Sequence, residues 1–241
     1  MIRRMATPQS ARTAEPSAPG EPTFAGEFET HVTVDCDEMG FARLESWAAQ
    51  AASDGIKLTH ILLGRGRVRS QPMLTLTGTG TLPDQRDLAA AIVRDLTSSG
   101  LRPIRVKIEA APWNSDVPQD GAAALQLGQE FYFEHHVKLA LSKGADLEAL
   151  AALVIPHSAH LSWNARRTSP TGGGERFATQ RCHNVGLPEA GTRLDRMCDE
   201  LREHGYQILS TVQEFVVFDS DVTLDAGWIE QVQPSVPSAV S

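Results

Sequence analysis

The sequence predicts an α+β protein: a tandem duplication of two ferredoxin-like βαββαβ units whose open sheet faces line a shared cleft or barrel. Three observations predict it. Phe28-Glu-Thr-His-Val-Thr-Val reappears as Phe133-Glu-His-His-Val-Lys-Leu, an offset of 105 residues. That offset also carries Leu82-Pro83 onto Leu187-Pro188, Gly100 onto Gly205 and Glu109 onto Glu214. Finally, strand-like and helix-like patterns follow one order in both halves.

In the first half, alternation over residues 27–35 reads as a strand and the Ala/Leu-rich stretch 41–53 as a helix. Strands follow at 56–63 and 67–78. Pro83 and Asp84 open a helix with Leu88, Ala89, Ile92, Val93 and Leu96 on its apolar face, and Gly100 stops it. Residues 102–110 form the last strand. The second half repeats this with strand 130–141, helix 146–155, strands 158–166 and 175–184, a helix from Pro188 to Gly205, and strand 206–219. The repeats are placed at 26–115 and 128–230. The middle of each half aligns only with shifts: Thr59-His60-Ile61 on Ala159-His160-Leu161 at an offset of 100, and Ser70-Gln71 on Thr179-Gln180 at 109. Ser169 to Glu175, rich in glycine, absorbs the difference as a loop. The Ala/Pro/Ser-rich residues 1–25 and the Pro/Ser-rich residues 231–241 cannot bury a core and read as flexible tails.

Composition narrows the function. The net charge of −8 disfavours nucleic acid and anionic membrane surfaces, and no apolar run is long enough to span a bilayer. Cys36, Cys182 and Cys198 are scattered, so free thiols in a reducing, cytoplasmic compartment are expected rather than disulfides or a thiolate zinc site.

Strand alternation locates the candidate chemistry. Phe28, Thr30, Val32 and Val34 share one face of the first strand; Glu29, His31 and Thr33 share the other. In its copy, Glu134, His136 and Lys138 oppose Phe133, His135, Val137 and Leu139. The strand order 4-1-3-2 then presents Glu109, His31, Gln71 and His60 on one open face, mirrored by Glu214, His136, Gln180 and His160. Neighbouring strands lie about 4.8 Å apart, so adjacent members can share a ligand where their heights agree.

Two imidazoles and a carboxylate bind Zn, Fe, Mn or Co with positions left open, and His136, His160 and Glu214 are the expected ligands. Without a metal, His136 and His160 can exchange protons, oriented by Glu134, with Lys138 beside them. Gln180, Arg166, Arg176, Gln71 and His31 are the expected substrate contacts, the arginines suiting a carboxylate or phosphate. The expected function is an enzyme of hydrolase or lyase type acting on a small anionic metabolite, with a homodimer kept open. The alternative is a non-catalytic binding or structural accessory protein. His135 is expected to face the helices, His157 to end a helix, and His183 and His204 to be peripheral.

Two motifs, His31-Val-Thr33-Val and His160-Leu-Ser162-Trp, resemble the His-x-Ser/Thr-x signature of two-histidine phosphoesterases. The two matches fall on non-equivalent strands of the repeat. The duplicated His and Glu set resembles the logic of vicinal-oxygen-chelate proteins, which differ in strand order. The chain is similar in size to duplicated α/β-barrel haem proteins, with no histidine singled out as an axial ligand. RNA-recognition modules share the topology, but their stacking aromatics belong on the open face, whereas Phe28 and Phe133 fall on the helix side.

Overall fold

A computed structural model describes residues 22–167 and 174–228. The expected tails, apart from residues 22–25, and most of the glycine-rich loop lie outside the described residues. The first half runs β1 (Ala25–Asp35), α1 (Glu38–Ala51), β2 (Lys57–Leu63), β3 (Ser70–Thr81), α2 (Leu82–Ser98) and β4 (Arg102–Ala110). A short helix, α3 (Gly121–Leu127), was not anticipated from the sequence and joins the halves. The second half runs β5 (Tyr132–Leu141), α4 (Leu147–Val154), β6 (Ala159–Asn164), β7 (Gly174–His183), α5 (Leu187–Glu203) and β8 (Gln207–Asp219). The protein is α+β with one eight-stranded sheet.

That sheet closes into a barrel in the order β1-β3-β2-β6-β7-β5-β8-β4. Each half contributes the order 4-1-3-2, consistent with two ferredoxin-like units. Antiparallel pairings β4·β8 and β2·β6 seal the halves together. Closure removes the open faces as surfaces and turns them inward, so the polar alternate residues become the barrel lining.

The helices start and stop where local chemistry dictates. Thr81 caps α2 through a reciprocal capping box with Asp84, and Pro83 sits in the first turn. Gly100 follows its end at φ 72°, a conformation that costs glycine little. Outside the barrel, Val32 and Val34 pack on Leu44, Ile92 and Leu96. Val137 and Leu139 do the same with Leu150, Met197 and Leu201. Phe24, Phe28, Phe133 and Phe215 bridge the two halves in a third apolar cluster.

One barrel end is closed by the chain following β8. A 3-10 turn, Val222–Asp225, delivers Asp225 inside. There Gln71 Nε2 donates to Asp225 Oδ1 at 3.1 Å, Arg181 Nη2 to Oδ2 at 2.7 Å, and Arg105 Nη2 lies 3.0 Å from Oδ2. Trp228 completes the closure: its Nε1 donates to Leu161 O at 3.1 Å, and Arg65 Nε donates to its carbonyl at 3.1 Å. Gly66 sits at φ 108°, and a Cβ there would come within 3.0 Å of Trp228, so any other residue would be both strained and crowded.

Removing one partner of a buried charge pair leaves the other uncompensated. Asp225→Asn removes the carboxylate shared by Arg105 and Arg181, leaving each with one buried partner, Asp219 or Glu134, and is expected to cost about 3 kcal/mol in urea unfolding. Arg166→Ala, which breaks an exposed pair with Glu45, is expected to cost under about 1 kcal/mol. Equal costs for the two would contradict this account of the closed end.

Candidate metal centre

The site grows from two strand pairs. On β1 and β4, Glu29 stands opposite Glu109 and His31 opposite Lys107. On β5 and β8, Glu134 stands opposite Glu214. His31 Nε2 lies 2.7 Å from Glu109 Oε2, and its Nδ1 lies 2.9 Å from Thr75 Oγ1. Lys107 Nζ bridges the two halves, 2.8 Å from both Glu109 Oε1 and Glu134 Oε1. Arg181 Nε donates to the other Glu134 oxygen at 2.6 Å. His136 Nε2 lies 3.3 Å from Glu134 and 3.6 Å from Glu214.

A chain of alternating charge therefore runs through the barrel, Asp219, Arg105, Asp225, Arg181, Glu134, Lys107 and Glu109, and ends at the contact between Glu109 and His31. Burial favours neutral carboxyls, yet Lys107 and His31 hold Glu109 below the ordinary range, and Arg181 and Lys107 do so for Glu134. Burial disfavours a charged His136, but Glu134, Glu214 and Glu109 outweigh it and raise its pKa. Glu214 has no strong cation of its own. Burial pushes its pKa up, Glu109 and Glu29 add to the rise, and His136 only partly relieves it.

Ligand atoms of Glu109, His136 and Glu214 lie within 4.8 Å of one another. One imidazole and two carboxylates suit a divalent transition metal with positions left over for water or substrate. His31 hydrogen-bonds Glu109, and Thr179 Oγ1 lies 3.1 Å from His136 Nδ1, fixing both from behind.

The two half-sites differ from the sequence expectation in specific places. His31, His136, Glu134 and Glu214 meet at the centre as expected, and Glu109 joins them. His160 does not. It faces inward nearer the closed end, where Arg65 Nη2 donates to its Nδ1 at 3.1 Å and Trp228 lies beside it. Gln71 is inside but serves Asp225. Gln180 points outward, with its Oε1 2.7 Å from His135 Nδ1 and its Nε2 donating to His157 O. His60 also points outward, against Phe41 of α1 at 5.0 Å between ring centroids.

The cause is parity. His31 pairs with Thr75 and His136 with Thr179, so the equivalent positions on β3 and β7 differ by 104 residues, not 109. An odd slip turns every side chain to the other face. On β2 and β6, Lys57 is the mate of His160, an offset of 103 rather than 100.

The expected cationic contacts are engaged elsewhere. Lys138 shares the His136 face but pairs with Glu175 at 2.7 Å. Arg166 reaches Glu45 on α1, and Arg176 lies over the Trp163 ring at 4.8 Å. His135 faces the helices, and His157 ends a 3-10 turn, 2.7 Å from Glu200, both as expected. The reading missed Asp225 and Trp228; Leu224 and Trp228, large apolar residues just after the last strand, were the available signal. Among the described residues, no helix is long and apolar enough to cross a membrane.

No protein-family model matches the chain, and no curated protein matches it. Among solved structures, a chlorite dismutase from Candidatus Nitrospira defluvii is 16% identical, with 83% of this chain and 93% of that chain covered, at a TM-score of 0.26. A dye-decolorizing protein from V. cholerae is 8% identical over 80% and 94% of the two chains, at a TM-score of 0.25. Superpositions this loose fix neither fold nor function for this chain, whose architecture stands on its own strand register.

Burial, with Arg65 and Arg181 nearby, lowers the His160 pKa from 6.5 to about 4. An unfolded chain takes up this proton near pH 6.5, whereas the folded protein resists until pH 4. The stability contributed by neutral His160 is therefore complete above the unfolded value and lost as pH falls through this window. His160→Asn keeps an acceptor for Arg65 and removes the titration. The loss in unfolding free energy between pH 7 and pH 4 should shrink by about 3 kcal/mol in this variant. An unchanged loss would contradict the neutral, arginine-bound His160.

Proposed function

We propose that the protein is a metal-dependent enzyme, a tandem duplication whose barrel interior holds one divalent ion on Glu109, His136 and Glu214. The observation that carries this reading is the convergence of those three ligand atoms within 4.8 Å at the end away from Trp228. Fe, Mn, Co and Zn all accept such a donor set, and the oxygen-rich pair favours the harder ions among them. A bound ion would supply Lewis-acid polarisation of a substrate oxygen, or acidify a water.

The chain's own residues have distinct tasks in this reading. Lys107 keeps Glu109 ionised and ready to coordinate. His31 holds Glu109 Oε2 at 2.7 Å, and so would fix the orientation of that carboxylate toward a bound ion. Glu134 orients His136 while Arg181 keeps Glu134 charged. The duplication is used asymmetrically: Glu109 comes from the first copy, and His136 with Glu214 from the second.

This reading departs from the anionic substrate expected from the sequence. Arg105, Lys107 and Arg181 are all committed to buried carboxylates. Beside the cluster, the cavity of about 390 Å³ inside the barrel is large enough for one small molecule.

Calorimetric titration of metal-stripped protein with Mn²⁺ should give one equivalent per chain. Glu214→Gln should weaken binding at least roughly tenfold, while His160→Asn leaves it within about twofold. Less than about 0.1 equivalent for Mn²⁺, Fe²⁺, Co²⁺ and Zn²⁺ alike, or a Glu214→Gln variant that binds as well as the parent, would overturn the reading.

A further inference from the structure

A second, wider cavity of about 530 Å³ opens outside the metal cluster. It shares Glu29, Val212 and Glu214 with the inner cavity, so it forms a vestibule to it. Four carboxylates line it, those of Glu27, Glu29, Glu109 and Glu214, and its lining contains no lysine or arginine. Trp113 stands in the same lining with 72% of its surface exposed. The indole is not adrift, because its Nε1 donates to Glu27 Oε1 at 3.3 Å.

A large exposed indole beside a row of carboxylates, of which Glu27 has no cation beside it among the described residues, has a specific chemical meaning. The ring face attracts a cation and offers apolar contact to its carbon chain, and the carboxylates supply the counter-charge. An anion entering the same space meets only like charge. A divalent ion on Glu109 and Glu214 would leave Glu27 and Glu29 in the lining, so the vestibule stays acidic.

We infer that the vestibule binds an organic cation, an alkyl amine or guanidinium compound, with its charged group among Glu27, Glu29 and Glu214 and its carbon chain against Trp113. This goes beyond the metal reading and does not depend on it. If both hold, the cation is the substrate class presented to the ion.

Pentane-1,5-diamine and glutarate have the same five-carbon length and opposite charge, and they separate the alternatives. Each is titrated calorimetrically and by tryptophan fluorescence, once into metal-stripped protein and once into Mn²⁺-loaded protein. The diamine is expected to bind in both states and glutarate in neither. The Glu27→Gln/Glu29→Gln double variant should weaken the diamine roughly tenfold and Trp113→Ala roughly threefold. Glu45→Gln, remote from the vestibule, should leave it unchanged. Glu27 is exposed and Glu29 half-buried, and circular dichroism separates loss of binding from loss of fold in the double variant. Glutarate binding as well as the diamine overturns the inference, as does a diamine affinity indifferent to the double variant, or no diamine binding up to about 10 mM. Diamine binding without Mn²⁺ binding removes the metal reading alone, and the converse removes this inference alone.

Discussion

Closing an eight-stranded sheet on itself puts its polar face where water is scarce, and every charge there needs a partner. Arg181 shows how strictly this is met. It stands between Glu134 and Asp225 with little exposure, and burial alone would lower its pKa. The two carboxylates reverse that, and the same logic passes from Arg105 at one end to His31 at the other. The C-terminal turn belongs to this network as much as to the fold, because Asp225 is the residue that compensates both arginines.

The pairing also decides where chemistry can happen. Charges matched one to one are structural, since each is spent on its neighbour. The surplus lies at the opposite end, where Glu214 is crowded by Glu109 and Glu29, and His136 with a smaller contribution from Lys107 only partly answers it. A protein that pays the desolvation cost of this arrangement without a ligand gains nothing from it. A cation entering there satisfies Glu214 and takes Glu109 at the end of the matched chain, leaving the pairs from Asp219 to Glu134 in place.

Much of the fold was legible because its signals are local and repeated. The helix opening at Pro83 and Asp84 and its stop at Gly100, the alternation in β1 and β5, and the 105-residue offset each report on short stretches of chain. His31, His136 and Glu214 were found by the same alternation. What failed was the alignment across β2, β3, β6 and β7, where a few residues of shift reversed the faces of His60 and Gln180. Periodicity says which residues share a face, but only the register says which face turns inward. His160 illustrates a further limit. Its face was correct, and both it and His136 pair with Thr179, but β7 lies between them, which leaves His160 beside Arg65 and Trp228; which strands are neighbours is set by pairings between distant segments.

The central claim is that the carboxylate surplus between the halves is a cation site. Anomalous diffraction from crystals soaked in Mn²⁺ tests it most directly. The account predicts a single strong peak bonded to Glu109, His136 and Glu214 at about 2.2 Å, with Arg181 still between Glu134 and Asp225. An ordered ion on His160 instead, or an empty centre in crystals that hold Mn²⁺ elsewhere, would contradict it.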